Sequence, residues 1–289
     1  MRKQFAVLAV GCLTLGLMAV LGSAQMDKAS RPSPAVRASC GLSDEKTIGM
    51  EALARWRHPR RGVLAAADFI GLAEQSHLIS ELTEHVLSKA LRQTARWWAA
   101  DLPVQVCVNL PARDLLSTHL TDMIMQALER YGLPPDALRV DISEQVLAGK
   151  PAQAASTVAK LVELGVGVSL DDFGTGYSTL AQLTRLGISE IKLDPALVSG
   201  LPDRPEQSMT VKSLVRLAQS LGIRSIGEGV ETEATAAALR MIGCEGAQGW
   251  HFAKPMNASR ATAWLDEEYN AANQFASAAN RLARALPGA

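Results

Sequence analysis

The chain carries no net charge, with 29 basic residues balancing 29 acidic ones. No polyanion-binding field is built into it, so a nucleic-acid polymer is not an expected partner. Cysteine is scarce. Cys12, Cys40, Cys107 and Cys244 lie far apart without any CxxC spacing, which argues against a zinc knot and for reduced, packed thiols. What is plentiful is hydrophobic surface, at 48% of the 289 residues. That suffices for one large core, and α/β barrels use about 250 residues as a single domain.

At the N-terminus Arg2 and Lys3 precede an apolar run from Phe5 to Leu21 and then Gly-Ser-Ala-Gln. Residues 1–25 thus read as a signal peptide or a membrane anchor, with residues 5–21 as the membrane contact. The basic pair predicts an exported domain, whereas Lys28, Arg31 and Arg37 beyond the run would hold an anchored domain on the cytoplasmic side. Both locations stay open. Residues 26–46, rich in Ser, Pro and Ala with scattered charge, read as a linker. The folded domain is expected over residues 47–266, with an alanine-rich outer helix or tail over 267–289.

The most informative stretch runs from Val166 to Leu180, VGVSLDDFGTGYSTL. Val166, Val168 and Leu170 alternate with small residues as in a short buried strand, which stops at Asp171-Asp172. Gly174 and Gly176 provide a loop free to take positive φ, and Leu180, Leu183 and Leu186 line one side of a following helix. A single aspartate after a strand is often a helix cap, but an adjacent pair repels and is best tolerated beside a cation.

Similar strands recur. Ile48 to Trp56, Val104 to Leu110, Leu138 to Ser143, Ile188 to Leu193, Ile223 to Gly227 and Ala247 to Phe252 alternate with amphipathic helices such as Arg113 to Tyr131 and Gln207 to Leu221. This alternation predicts an α/β fold, a TIM-like (βα)8 barrel that lacks its N-terminal strand. The polar residues near the strand ends are Glu51, Asn109, Asp141, Asp171, Asp172, Lys192, Glu228 and Gln248. In such a barrel they converge on one mouth. Carboxylates gathered there repel unless divalent cations lie among them, and an oxygen-only set without His or Cys selects Mg²⁺ or Mn²⁺.

Several of these stretches form longer motifs. Glu51-Ala52-Leu53 with Arg55-Trp56, VNLPARDL (Val108 to Leu115), DDFGTGYSTL (Asp171 to Leu180), IKLD (Ile191 to Asp194), GEGVET (Gly227 to Thr232) and QGWHFAKPM (Gln248 to Met256) resemble, in order and spacing, the EAL-domain family. The resemblance covers about Ile48 to Leu265. It implies a bacterial signalling phosphodiesterase that hydrolyses cyclic di-GMP to linear pGpG with two metal ions, in a family that often forms homodimers. By the resemblance, Glu51, Asn109, Asp141 and Asp171 hold one ion, Asp171 and Asp172 help hold the second, and Glu228 and Gln248 complete the network of metal and water. Lys192 binds the attacking water and helps deprotonate it, and Arg55 contacts a substrate phosphate. Glu144 braces the loop from Asp172 to Ser178.

The sequence also departs from the family. The Gln-Pro-Ile/Val strand that precedes the EAL strand has no counterpart. Asp141 stands where the family has Glu, Ala66 where proline is common before Phe69-Ile70, and His77 where glycine is frequent. The first two departures motivate an alternative: a degenerate EAL domain that binds cyclic di-GMP or a protein partner without turnover.

Overall fold

In the computed structural model, which describes residues 34–285 apart from His77, Lys150 and 177–179, eight strands close on themselves into a barrel. In chain order these are β1 (Ala35–Gly41), β2 (Thr47–Leu53), β5 (Val106–Asn109), β6 (Leu138–Ser143), β7 (Gly167–Phe173), β8 (Glu190–Leu193), β9 (Arg224–Gly227) and β10 (Gly246–Ala247). Two further strands, β3 (Arg55–His58) and β4 (Gly62–Ala65), form a separate hairpin. From β2 through β10 every barrel pairing is parallel, as crossover connections through helices require.

The barrel is complete, which corrects the expectation of a missing first strand. Residues 35–41, expected to be linker, are a barrel strand that pairs antiparallel with both β2 and β10. The direction follows from the connection. Only residues 42–46 separate β1 from β2, room for a hairpin but not for the dozen or more residues of a parallel crossover. Val36, Ala38 and Cys40 are buried on the outer face of β1, packed with Met50, Trp97, Ala261 and Leu265, while Arg37 and Ser39 alternate with them. With only small or polar neighbours, that alternation was outweighed by the Ser, Pro and Ala content.

The outer wall over β1 comes from the last helix, which runs from Ala258 to Ala285 and passes without a break through the boundary expected near Asp266. Glu268 accepts hydrogen bonds from the Thr47 backbone N–H at 2.7 Å and its hydroxyl at 2.6 Å. The Trp264 indole donates to the same hydroxyl at 2.9 Å, and the Trp97 indole donates to Thr262 at 2.8 Å.

Three expected elements change. The strand read as Ile48 to Trp56 breaks after Leu53, and the Arg55 segment folds into the β3–β4 hairpin, where Trp56 is buried edge-on to Phe69 at 5.8 Å. The helix read as Arg113 to Tyr131 is two, Ala112–Leu115 and Leu120–Tyr131. The last strand keeps only Gly246–Ala247, and the chain then turns across the barrel. Gly249 permits that turn, because a Cβ there would collide with the Val230 backbone.

The thiols at Cys40, Cys107 and Cys244 are free and buried, and burial pushes Cys40 up to about 12 and Cys244 up to about 11. Among the described residues no helix is long and apolar enough to cross a membrane, and the expected signal or anchor lies outside them, as does His77.

Since β1 closes the barrel, a chain that begins at Thr47 leaves the edges of β2 and β10 unpaired and uncovers the apolar face of the last helix. Removal of residues 1–46 is expected to abolish the cooperative thermal transition in circular dichroism, whereas a chain that begins at residue 26 keeps it.

Candidate active site

Side chains on the inward face of the strands are polar, and they lie in two tiers. The lower tier is the carboxylate of Glu190, buried between Arg139 at 2.5 Å and Arg224 at 3.5 Å. Above it Lys192, one turn of the pleat further along β8, is 2% exposed and forms ion pairs with Asp141 at 2.5 Å and Glu228 at 3.5 Å. Burial alone would lower its pKa, but Asp141, Glu51 and Glu228 together raise it well above the ordinary lysine value. Lys192 is thus a fixed ammonium. In this state it donates hydrogen bonds and charge to the acids around it.

Glu51 lies directly across β1–β2 from Arg37, and that register sets its environment. Its Oε2 accepts from Arg37 Nη2 at 2.7 Å and Nε at 3.2 Å, and from Gln248 Nε2 at 3.3 Å. Its Oε1 accepts from Asn109 Nδ2 at 3.0 Å. Burial would raise the pKa, but Lys192 and Arg37 hold it down to about 2. Gln248, fully buried at the turn after β10, also donates to Glu228 and accepts from the Ser39 hydroxyl at 2.7 Å.

The remaining acids are less well compensated. Burial pushes Glu228 up to about 8, with Asp171 and Glu51 adding to the rise against the pull of Lys192. Asp171 rises to about 7 for the same reasons, with Asp141, Glu51 and Asp172 as the repelling neighbours. Asp141 gives one oxygen to Lys192, while its buried Oδ1 has no N–H or O–H donor among the described residues, and the Cys107 thiol is the soft neighbour of this carboxylate.

Asp171 and Asp172 stand on a β-bulge, where the β7–β8 register shifts between Leu170 and Phe173 and Asp172 takes φ 55°. The bulge sends the two carboxylates to different surroundings. Asp171 is repelled by Asp141 and Glu51, whereas burial and then Asp194 raise Asp172. Beyond it, Glu144 Oε2 accepts from the backbone N–H groups of Gly174 and Thr175 at 3.2 and 3.1 Å and from the Thr175 hydroxyl at 3.0 Å. Gly174, at φ 104°, fits there because a Cβ would come within 2.6 Å of Leu197. Arg55, half-buried on β3, lies within the influence of Arg37 and Glu51 and donates to the Ala54 carbonyl at 2.9 Å. Burial and the nearby charge of Arg37 both lower its pKa.

Among the described residues no three His, Cys, Asp or Glu side chains close on one point as a ready-made ion cage. The acids form instead a ring whose positive charge comes from Lys192 and Arg37. The ring still suits a hard divalent ion. Its donors are all oxygens, Asp141 Oδ1 is buried with no N–H or O–H donor among the described residues, and the raised Asp171 and Glu228 mark an excess of negative charge. Arg37 and Ser39 are the two participants that the sequence reading missed. The signal available was the alternation of polar Arg37 and Ser39 with apolar Val36, Ala38 and Cys40.

The description of the EAL domain matches residues 36–255, starting within β1. The chain belongs to the EAL domain family. It is 35% identical over 224 residues to the cyclic di-GMP phosphodiesterase PA2567 of Pseudomonas aeruginosa, covering 78% of this chain and 38% of that protein. The chain therefore spans well under half the length of that curated relative. The c-di-GMP complex of the PaMucR phosphodiesterase superposes with a TM-score of 0.76 at 34% identity, covering 80% of this chain and 94% of that one. The calcium and cyclic di-GMP complex of Klebsiella pneumoniae BlrP1 gives 0.70 at 26% identity, over 78% of this chain and 56% of that one.

The acids of this EAL domain make its stability depend on pH in a definite direction. Glu228 and Asp171 bind protons more tightly folded, at about 8 and about 7, than at their ordinary values of 4.5 and 3.8. Stability therefore falls as pH rises through that interval. Glu51 acts in the opposite sense, and its contribution is lost only as pH falls from 4.5 towards about 2. With chelator present the melting temperature is expected to drop by several degrees between about pH 6 and about pH 9, and saturating Mn²⁺ to flatten the dependence. Scanning calorimetry across that range is the check.

Proposed function

We propose that this EAL domain hydrolyses cyclic di-GMP to linear pGpG with the help of two Mg²⁺ or Mn²⁺ ions. The observation that supports the reading most is the ring of Glu51, Asp141, Asp171 and Glu228 about the buried ammonium of Lys192, in a family whose named members include cyclic di-GMP phosphodiesterases. Glu51, Asn109, Asp141 and Asp171 would hold one ion and Asp171 with Asp172 the second, supplying Lewis acidity and a water of lowered pKa.

The chain's own groups have definite parts to play in this reading. Lys192 would bind the attacking water and help deprotonate it, and it presents positive charge to the phosphate as negative charge develops. Gln248 ties Glu51 to Glu228 and so keeps both acids in place. Arg55 supplies a cation for a non-reacting phosphate oxygen. Glu144 anchors the loop that carries Gly174 and Thr175, and through it the position of Asp172. Because the substrate is a cytoplasmic messenger, the reading places the domain on the cytoplasmic side, anchored through residues 5–21, an orientation that protease protection in intact cells would test.

One observation favours the second reading, binding without turnover. The guanidinium of Arg37 is bonded to one of the two oxygens of Glu51 and so competes with an ion for it.

Incubation with cyclic di-GMP and Mg²⁺ or Mn²⁺ is expected to yield pGpG on chromatography. Glu51→Gln and Lys192→Met should each lower the rate about a hundredfold or more. Asp141→Glu, which lengthens the reach of that carboxylate, should raise it. Folded protein that binds cyclic di-GMP in calorimetry yet turns none over with either ion would replace the first reading with the second.

A further inference from the structure

We infer that Arg37 is a built-in competitor for divalent ions at Glu51, so that an ion gains Oε2 of that carboxylate only by expelling the guanidinium. The inference rests on the proposed metal-binding mouth and adds a step to its loading.

The antiparallel hairpin fixes the encounter, since Arg37 and Glu51 are partners across β1–β2 and their side chains share the inward face. Two guanidinium nitrogens meet Glu51 Oε2, at 2.7 and 3.2 Å, and Gln248 approaches the same oxygen at 3.3 Å. Asn109 holds Oε1 at 3.0 Å. Both oxygens of this buried carboxylate therefore already accept hydrogen bonds, one of them from a full positive charge. A carboxylate oxygen has about two acceptor positions, so an ion that takes Oε2 must displace donors, the guanidinium first among them.

The other acids of the ring are not so guarded. Asp141 keeps a buried oxygen with no N–H or O–H donor among the described residues, and its cation, Lys192, lies on the opposite oxygen. Asp141 and its neighbours would hold an ion first, and Oε2 of Glu51 would become available to it once Arg37 had moved away. The Arg37 side chain is 22% exposed, against 2% for Lys192, so it has solvent to retreat into. Being a guanidinium, it is not neutralised within the working pH range, so the competition persists across it.

The test is a Mn²⁺ titration of the full chain without substrate, followed by calorimetry and by the paramagnetic resonance signal of the free ion. Arg37→Gln is expected to bind Mn²⁺ at least about tenfold more tightly than the parent. Arg37→Lys, which keeps the charge, should stay within about threefold of it. Should the glutamine variant melt without a cooperative transition, Arg37→Met repeats the comparison with the same expected gain. Equal or weaker binding in an uncharged, folded variant, while the parent binds Mn²⁺, overturns the inference and leaves the metal-binding mouth standing. Absence of Mn²⁺ binding in the parent and in every variant overturns both.

Discussion

The burial of several carboxylates in one barrel mouth is the constraint on which the rest of the structure turns. Isolated in a protein interior, an ionised carboxylate is prohibitively costly, and it survives only beside positive charge or as the protonated acid. Lys192 supplies the central charge, and Arg37 supplies a second at the rim. Glu51, which faces both cations, is a strong acid, whereas Glu228 and Asp171, crowded by other acids, hold their protons to near neutrality. The mouth is therefore electrostatically unfinished. Its residual negative charge is what makes divalent ions the natural complement to it.

Keeping that charge inside requires a closed wall, and the wall depends on one short strand. β1 runs against the direction of the other seven barrel strands, so its N-terminal half lies at the same end of the barrel as the C-terminal halves of the others. Closure and the site are thereby linked through one element. The face of β1 that packs outward on Trp97 and the last helix completes the core, and the face that points inward brings Arg37 to Glu51 and Ser39 to Gln248. A longer connection to β2 would have permitted a parallel strand, which would present different residues to the mouth.

Tethering of the loop by Glu144 is a second link between fold and chemistry. Its carboxylate gathers two backbone N–H groups and a hydroxyl just past the bulge that carries Asp171 and Asp172. The bulge separates two acids that adjoin in sequence, so that each meets its own neighbours.

Read alone, the residues revealed the alternation of strand and helix, the polar residue closing each strand, and the family motifs from Glu51 to Met256. These are legible because a period of two or of 3.6 and a run of motif residues are properties of the local chain. Asp171, Lys192 and Glu228 could be placed on one rim for the same reason: parallel strands of one barrel all point the same way. Neither the closing strand nor its two inward side chains could be read in this manner. Residues 35–41 have a linker's composition, and their worth as a strand comes from edges that β2 and β10 offer only after folding. Ser39 and Gln248 touch across 209 positions of sequence. Contacts of that span leave no local trace, and the register that sets Arg37 opposite Glu51 exists only once β1 has paired with β2, which the tertiary structure alone decided.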